Sequence, residues 1–213
     1  MAAGHRVFCP TLTGLGERAH LLSRVVNLTT HIADVVGLIE AEELTEVVLV
    51  GHSYGGIVIT GAAARAKVRL RQLVYLDSAI VEDGESWSSA HAPEVRADRR
   101  RLAKESSGGL SLPVPKAEVF GLREPKDLEW VQRRMTPHPF ALYDQKMNWG
   151  GPVGNGVPKL YVDCTDPAYA GLAPVKQRIR GNPAAWPYVE LKAGHDAMVS
   201  APDETAKLLL GFA

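Results

Sequence analysis

Residues 46–66 read EVVLVGHSYGGIVITGAAARA and combine the features that decide the fold. A near-continuous apolar run ends at Gly51, a G-x-S-x-G motif follows, and a stretch of small apolar residues begins at Gly55. The first run is typical of a buried strand, and the small residues are typical of a helix packed closely on a sheet. The segment therefore predicts a strand, a sharp turn and a helix, with Ser53 at the turn.

A turn of this kind suits a reactive serine, because strained backbone angles push the hydroxyl outwards. Gly51 and Gly55 are predicted to avoid side-chain collisions at the turn. The amide of Tyr54 lies at the amino end of the predicted helix, where it can stabilise negative charge on a substrate oxygen. We therefore predict Ser53 as a nucleophile and the Tyr54 N–H as an oxyanion donor, against the alternative of an ordinary turn.

A serine hydroxyl needs a base to accept its proton, and a histidine late in the chain suits this order of motifs. His195 follows an apolar run at 188–192, which places it at the same predicted sheet edge as Ser53. His52 is too close to Ser53 in sequence to act as its base. We therefore predict His195 as the base. Two other histidines are candidates for the pocket wall: His20 and His138.

A carboxylate is expected to hold the tautomer of that histidine and to stabilise its charged form. Asp77 ends the apolar run 72–77, and Asp166 follows the run 159–164 in an Asp-Pro turn. Both lie at the correct predicted sheet edge, so both remain candidates, with a slight preference for Asp77. Asp163 lies inside the second run, and its side chain is predicted to point away.

Short apolar runs alternate with helical segments along the chain, which predicts an α/β fold with a doubly wound, mostly parallel sheet. The predicted strands lie at 5–10, 46–51, 72–77, 159–164 and 188–192. The predicted helices lie at 30–43, with Thr30 as the cap, 55–66 and 202–212. Residues 82–156 break the alternation and are predicted to form a mostly helical lid within a single domain, residues 1–213. Its aromatic residues are candidates for the pocket wall, although packing inside the lid is favoured: Trp87, Trp130, Phe140 and Trp149.

The composition of the 213-residue chain restricts its partners. Lys and Arg total 24, and Asp and Glu also total 24, which argues against nucleic acid and anionic membranes as partners. Cys9 and Cys164 show no metal-type spacing, so neither a zinc site nor a disulfide framework is expected. Because no apolar stretch reaches membrane-span length and the amino terminus does not resemble a secretion signal, we expect a cytoplasmic location.

Four segments, in this order, resemble bacterial serine esterases of the α/β-hydrolase fold, some of them pyrethroid or aryl-ester hydrolases, which are related to plant esterases and hydroxynitrile lyases. The segments are GHRVFCPTLTGLGERAHL (4–21), VVLVGHSYGGIVITG (47–61), LVYLDSAIVEDGESW (73–87) and ELKAGHDAMVSAPDE (190–204). The resemblance implies ester hydrolysis with Ser53 and His195 in the catalytic roles. It leaves the acid open, because plant-type members carry it at the position of Asp166 and bacterial members at the position of Asp77.

The chain also departs from the pattern of these esterases. The lyase branch carries a lysine directly after its catalytic histidine, whereas this chain has Asp196, which disfavours cyanohydrin cleavage. Family members usually begin earlier, with a strand and an HG-containing loop that supplies a second oxyanion donor. Without that strand, the run 46–51 is expected to pair directly with residues 5–10, to recruit a partner chain or to leave an open sheet edge.

These observations predict a serine esterase that acts on a small-molecule ester. No metal or organic cofactor is expected, because side chains and backbone amides complete the chemistry. Two alternatives remain: a catalytically impaired homologue that binds or oligomerises, and, less favoured, a carbon–carbon lyase at the same site. The formation of a homo-oligomer is left open.

Overall fold

The computed structural model describes residues 4–213, so the first three residues of the predicted domain lie outside it. The strands of its central sheet are β1 (Val47–Ser53), β2 (Leu70–Ser78), β5 (Lys159–Cys164) and β6 (Tyr188–Leu191). They are parallel and follow the order β1-β2-β5-β6. A separate antiparallel pair consists of β3 (Ser111–Leu112) and β4 (His138–Pro139).

Helices connect and cover these strands. They are α1 (Leu28–Ala41), α2 (Gly55–Ala66), α3 (Pro93–Ser107), α4 (Pro125–Gln132), α5 (Ala173–Arg180), α6 (Ala197–Ser200) and α7 (Pro202–Leu210). Short 3₁₀ turns lie at Gly16–Leu21, Lys67–Arg69, Trp87–Ala90, Ala117–Phe120, Phe140–Leu142 and Ala170–Leu172. Among residues 4–213, no helix combines the length and the apolar character needed to cross a membrane.

Both faces of the sheet are covered, as the side chains of β2 show. Successive side chains of a strand point to opposite faces. Leu73 and Tyr75 join an apolar cluster with α1 and α2, whereas Val74 and Leu76 join a second cluster with α6 and α7. Burial on both faces explains the near-continuous apolar runs in the sequence, and the predicted α/β fold with a parallel sheet is confirmed.

Residues 5–10, predicted as a strand, form no strand in the structure. Val7 is 57% exposed and Phe8 is 37% exposed. An apolar run becomes a strand only where a neighbouring strand supplies hydrogen-bond partners, and local sequence does not report that neighbour. Within residues 4–213, β1 pairs with β2 alone, so its other edge is open.

Helix α1 begins two residues earlier than predicted, and Thr30 is not its cap. The Asn27 side chain accepts a hydrogen bond from the Thr30 N–H at 3.2 Å, and the Thr30 hydroxyl accepts one from the Asn27 N–H at 3.3 Å. This reciprocal capping box makes Thr30 the third helical residue. The other predicted strands and helices of the α/β core are present, with ends that differ by two residues or fewer.

Residues 82–156, which the sequence predicts as an insertion, lie between β2 and β5. They contain α3, α4, several 3₁₀ turns and the β3–β4 pair, so helices share this segment with other structure. A small apolar cluster of its own, which includes Leu122 and Val131, holds part of the segment together. The exact bounds of the insertion and its role as a lid stay predictions.

Candidate active site

Ser53 is the last residue of β1, and α2 begins two residues later. Its φ is +53°, in the left-handed region that residues other than glycine rarely adopt. Its carbonyl oxygen accepts hydrogen bonds from the Ala79 N–H at 2.8 Å and from the Ser78 hydroxyl at 2.8 Å. These bonds hold the strained turn and keep the half-buried Ser53 at the carboxyl edge of the sheet.

His195 lies in the loop between β6 and α6, and its side chain is buried. Its Nε2 atom lies 2.9 Å from Ser53 Oγ, and its Nδ1 atom lies 2.7 Å from Asp77 Oδ2. When Nδ1–H donates to the carboxylate, Nε2 is left as an acceptor that faces the serine hydroxyl. This arrangement has the geometry of a Ser-His-Asp triad.

Asp77, near the carboxyl end of β2, is fully buried and has a φ of +39°. Its Oδ1 atom accepts the Cys164 N–H at 3.1 Å and lies 2.6 Å from Lys176 Nζ. Burial alone would raise the pKa of Asp77, but hydrogen bonds from His195 and Lys176 outweigh it and hold the pKa below its usual value. Asp77 is therefore ionised at neutral pH and can stabilise a protonated imidazole.

The other carboxylates near these strand ends make different contacts. The Asp166 side chain is 43% exposed and pairs with Arg123 at 3.0 Å. Asp163 is buried and lies 2.6 Å from Arg180. The structure thus joins His195 to Asp77 and not to Asp166, although a catalytic role for Asp77 stays a prediction.

Tyr54 directly follows Ser53, and its backbone lies at the amino end of α2. Its hydroxyl lies 3.2 Å from His31 Nδ1, and its ring packs against the rings of His138 and Trp87 at 4.7 and 5.1 Å between centroids. Burial raises the pKa of Tyr54, so its phenol stays neutral. The buried side chain anchors the backbone amide that we predict as an oxyanion donor.

Two aromatic rings that the sequence analysis missed cover His195. Tyr169, in the loop after β5, stacks on the imidazole at 4.4 Å between centroids and 28° between planes. Phe120, in the insertion, stacks at 5.7 Å and 28°. Such rings restrict the rotation of the imidazole. No local pattern marks these two residues, because each lies in a short irregular segment and meets His195 only in three dimensions.

The residues predicted for the pocket wall have mixed positions. Trp87 packs on Tyr54, and His138 contacts both of their rings. His20 is exposed. The other three aromatic candidates have different surroundings. Trp130 is exposed, and Phe140 packs against the Tyr143 ring. Trp149 lines a cavity of about 330 Å³ between α1 and α2.

Comparison with known proteins shows the family of the chain. Residues 1–208 match a family described as the alpha/beta hydrolase family. The chain belongs to this family. The match covers the elements that carry Ser53, Asp77 and His195, so the candidate site lies within the part of the chain that defines the family.

Of two curated relatives of this hydrolase, one is named an esterase and the other a hydrolase. A carbendazim hydrolyzing esterase from Nocardioides sp. is 42% identical over 218 residues, which cover 97% of this chain and 88% of the relative. A pyrethroid hydrolase from Sphingobium wenxiniae is 25% identical over 225 residues, which cover 100% of this chain and 79% of the relative. The family and these relatives place the chain among hydrolases that act on esters.

Solved structures show the same fold. An extracellular alpha/beta-hydrolase from a Paenibacillus species superposes with a TM-score of 0.83 at 20% identity, over 100% of this chain and 89% of that structure. A pyrethroid hydrolase superposes with a TM-score of 0.73 at 20% identity, over 99% of this chain and 87% of that structure. At such low identity these likenesses show the fold of the hydrolase alone.

His52 lies beside the triad without joining it. Its Nε2 atom donates to the His195 carbonyl at 2.9 Å and lies 3.7 Å from Asp196 Oδ1. Burial, together with the neighbouring His195, lowers the pKa of His52 to about 3, so this ring is neutral. In the part of the chain that the structure describes, potential ligand atoms of His52, His195 and Asp196 lie within 4.8 Å of one another. Because Asp77 and Ser53 already engage both nitrogens of His195, we assign no metal to this hydrolase.

The two motif glycines differ in their surroundings, which corrects the prediction that both avoid collisions. A Cβ atom on Gly51 would lie 2.6 Å from the Gly55 carbonyl oxygen and 2.9 Å from the Gly56 nitrogen. A Cβ atom on Gly55 would meet no atom within 4 Å. The prediction holds for Gly51, where backbone fills the space, and is wrong for Gly55, whose position at the start of α2 is open.

Gly51→Ala is therefore expected to lower the free energy of unfolding by about 3 kcal/mol, because rigid backbone atoms must move to admit the methyl group. Gly55→Ala is the matched control. It is expected to change stability by less than about 1 kcal/mol, and in the stabilising direction, because alanine favours a helix. Urea unfolding followed by circular dichroism measures both variants, and equal stabilities would contradict the prediction.

Proposed function

We propose that this hydrolase cleaves carboxylic esters through an acyl-enzyme formed on Ser53. The observation that carries the proposal is the hydrogen-bond chain in which His195 lies 2.9 Å from the serine oxygen and 2.7 Å from the Asp77 carboxylate. A serine hydroxyl becomes a useful nucleophile when a base accepts its proton and a third group orients that base. The three side chains supply all of these functions.

In the proposed acylation step, Ser53 Oγ attacks the ester carbonyl carbon while its proton passes to His195 Nε2. The carbonyl oxygen gains the negative charge and accepts a hydrogen bond from the Tyr54 N–H. The carbon–oxygen bond to the alcohol then breaks, and the alcohol leaves with the proton from His195. The acyl group stays on Ser53, and Asp77 remains ionised throughout.

Deacylation repeats these steps with water in place of the serine hydroxyl. His195 Nε2 takes a proton from water, whose oxygen attacks the acyl carbonyl carbon. The bond to Ser53 Oγ breaks, Ser53 regains its proton from His195, and the carboxylic acid is released. The side chains return to their starting protonation states, so no cofactor is consumed.

The aromatic surroundings of the triad support a substrate with a planar or aromatic group. Tyr169 and Phe120 stack on the His195 ring, which must deliver its proton to the leaving alcohol. Trp87 packs on Tyr54, beside the turn that carries Ser53. Because Trp87 and Phe120 both belong to the insertion, we propose that residues 82–156 cover the site. Aryl esters are the substrates that we expect, and carbendazim, for which the 42%-identical relative is named, is a further assay compound.

Reaction with a fluorophosphonate tests the acyl-enzyme proposal, because this reagent phosphonylates activated serines. We expect a single adduct in the intact mass, which peptide mapping places on Ser53 and not on the adjacent Ser78. The same protein unfolded in urea is the control and should stay unlabelled. A folded protein without an adduct would contradict the proposal and favour a binding or oligomerising protein that carries an inactive triad.

A carbon–carbon lyase would use the same serine and could also be labelled, so the products must be identified. Hydrolysis of an aryl ester releases an acid and an alcohol, whereas lyase activity on a cyanohydrin releases cyanide. Asp196 stands where the lyase branch of the family carries a lysine, and it therefore supports hydrolysis. Cyanide release in the absence of ester turnover would reverse this assignment.

A further inference from the structure

Lys176, on α5, is a buried lysine with an unusual set of partners. Only 5% of the residue is exposed. Lysine is almost never buried unless it is paired, because removing an ammonium group from water is costly. Its ammonium group donates to Cys164 O at 2.6 Å and forms ion pairs with Asp77 Oδ1 at 2.6 Å and Asp163 Oδ1 at 3.0 Å.

The Asp77 carboxylate therefore lies between His195 and Lys176. Its Oδ2 atom accepts a hydrogen bond from His195, and its Oδ1 atom pairs with the ammonium group. A cation on one oxygen reduces the negative charge that the other oxygen presents to the imidazole. Lys176 thus acts on His195 through the Asp77 carboxylate, without contacting the imidazole itself.

A second carboxylate competes for the same ammonium group. Asp163 lies 3.0 Å from Lys176 Nζ, and its other oxygen lies 2.6 Å from Arg180. Two carboxylates and two cations make this group neutral as a whole. No hydrogen bond or ion pair of the described residues joins Asp163 to His195 or Asp77, so Asp163 acts on the triad through its charge, both directly and by competing for Lys176.

We infer that Lys176 is a positioning residue of the proposed triad: its ammonium group fixes the orientation of Asp77 and reduces the negative charge that this carboxylate presents to His195. The inference rests on the proposed function of Ser53 and His195. With the ammonium group present, the carboxylate stabilises the protonated imidazole less strongly. A change in the charge of residue 176 is therefore expected to shift the pH profile of the reaction at Ser53.

Other titratable groups face this arrangement and must be separated from it. Burial raises the pKa of the Cys164 thiol to about 12, and burial also raises the pKa of the Tyr161 phenol, so both stay neutral at working pH. His52 is neutral for the reason given above. Burial raises the pKa of Asp196, which adjoins His195 and can titrate in the acid range. The comparison is therefore made both in the native chain and in an Asp196→Asn background.

The readout is the pH midpoint of the acid limb for fluorophosphonate labelling of Ser53, with kcat/KM for an aryl ester as a second measure. Lys176→Met is expected to raise the midpoint by about 1 pH unit. Asp163→Asn is expected to lower it by about 0.5 pH unit, because Lys176 then acts on Asp77 alone. Opposite shifts from the two variants are the signature of charge, since a merely structural defect would lower rates at every pH.

Two controls complete the experiment. Arg178→Gln removes a cation from the same helix. The Arg178 guanidinium donates to the Ile80 carbonyl and lies near Glu82 and Glu85, so this variant should leave the midpoint unchanged. If Lys176→Met does not fold, Asp163→Asn still decides the result by the sign of its shift. Unchanged midpoints in folded, labelled variants would overturn the inference alone, whereas a native protein unlabelled at Ser53 would overturn the proposed function first.

Discussion

Ser53→Ala is expected to lower kcat for aryl ester hydrolysis by about 10⁶-fold, because the variant has no oxygen on which an acyl group can form. Stability should change little, since serine and alanine meet the same steric cost at a φ of +53°. Hydrolysis of 4-nitrophenyl acetate, measured with enough enzyme to detect slow turnover, checks the expectation. Retention of a tenth of the native rate would show that another group starts the reaction.

Ser78→Ala is the matched control for this loss. The Ser78 hydroxyl donates to the Ser53 carbonyl, so its removal weakens the support of the turn without removing the nucleophile. The Ala79 N–H still holds that carbonyl at 2.8 Å. We therefore expect a fall in kcat of about tenfold or less, in keeping with the loss of a single neutral hydrogen bond.

Asp77→Asn is expected to lower kcat by about 10⁴-fold, the second large effect. An amide in this place carries no charge to stabilise the protonated imidazole, and it can hold His195 in the wrong tautomer. Asp166→Asn removes a carboxylate that lies in the loop after the neighbouring strand β5 but pairs with Arg123, and it should leave kcat within about twofold of the native value. Steady-state kinetics at pH 8 compares the two variants, and the reverse ranking would assign the acid to Asp166.

The two aspartates show why the sequence could not choose the acid. Asp77 lies near the carboxyl end of one parallel strand and Asp166 in the loop after another. The carboxyl ends of parallel strands share an edge, so sequence alone places both near the base. The choice depends on which carboxylate turns towards His195. Asp77 does so with a backbone φ of +39°, a conformation that no local sequence pattern predicts.

Ser53 and His195 were easier to predict, because short-range signals mark both. The serine lies in a motif whose flanking strand and helix can be seen in the sequence, and the histidine lies between the last strand and the last helix. Lys176 had no such signal. It has the sequence context of an ordinary charged helix residue, and its contacts with Asp77 and Asp163 form only when β2, β5 and α5 are brought together.

The fold was predictable where burial leaves its trace in the sequence. The strands β1, β2, β5 and β6 lie in apolar runs that mark them, and α2 begins and ends as its small residues indicate. Residues 5–10 were misjudged because an apolar run can also lie exposed when no strand pairs with it. The start of α1 was misjudged because Asn27 and Thr30 are both good capping residues, and only the hydrogen bonds distinguish them.

The position of the proposed acid on β2 has a consequence for protein engineering. The loop at residues 165–172 contributes the Tyr169 ring above His195, but no member of the proposed triad. A combinatorial library confined to this loop can therefore change the side chain that stacks on His195 while every member of the proposed triad is retained. The turn at Ser53 offers no such freedom, since backbone fills the space around Gly51. The adaptable loop follows β5 and the rigid turn ends β1, so both lie at the same edge of one sheet, with β2 and its carboxylate between them.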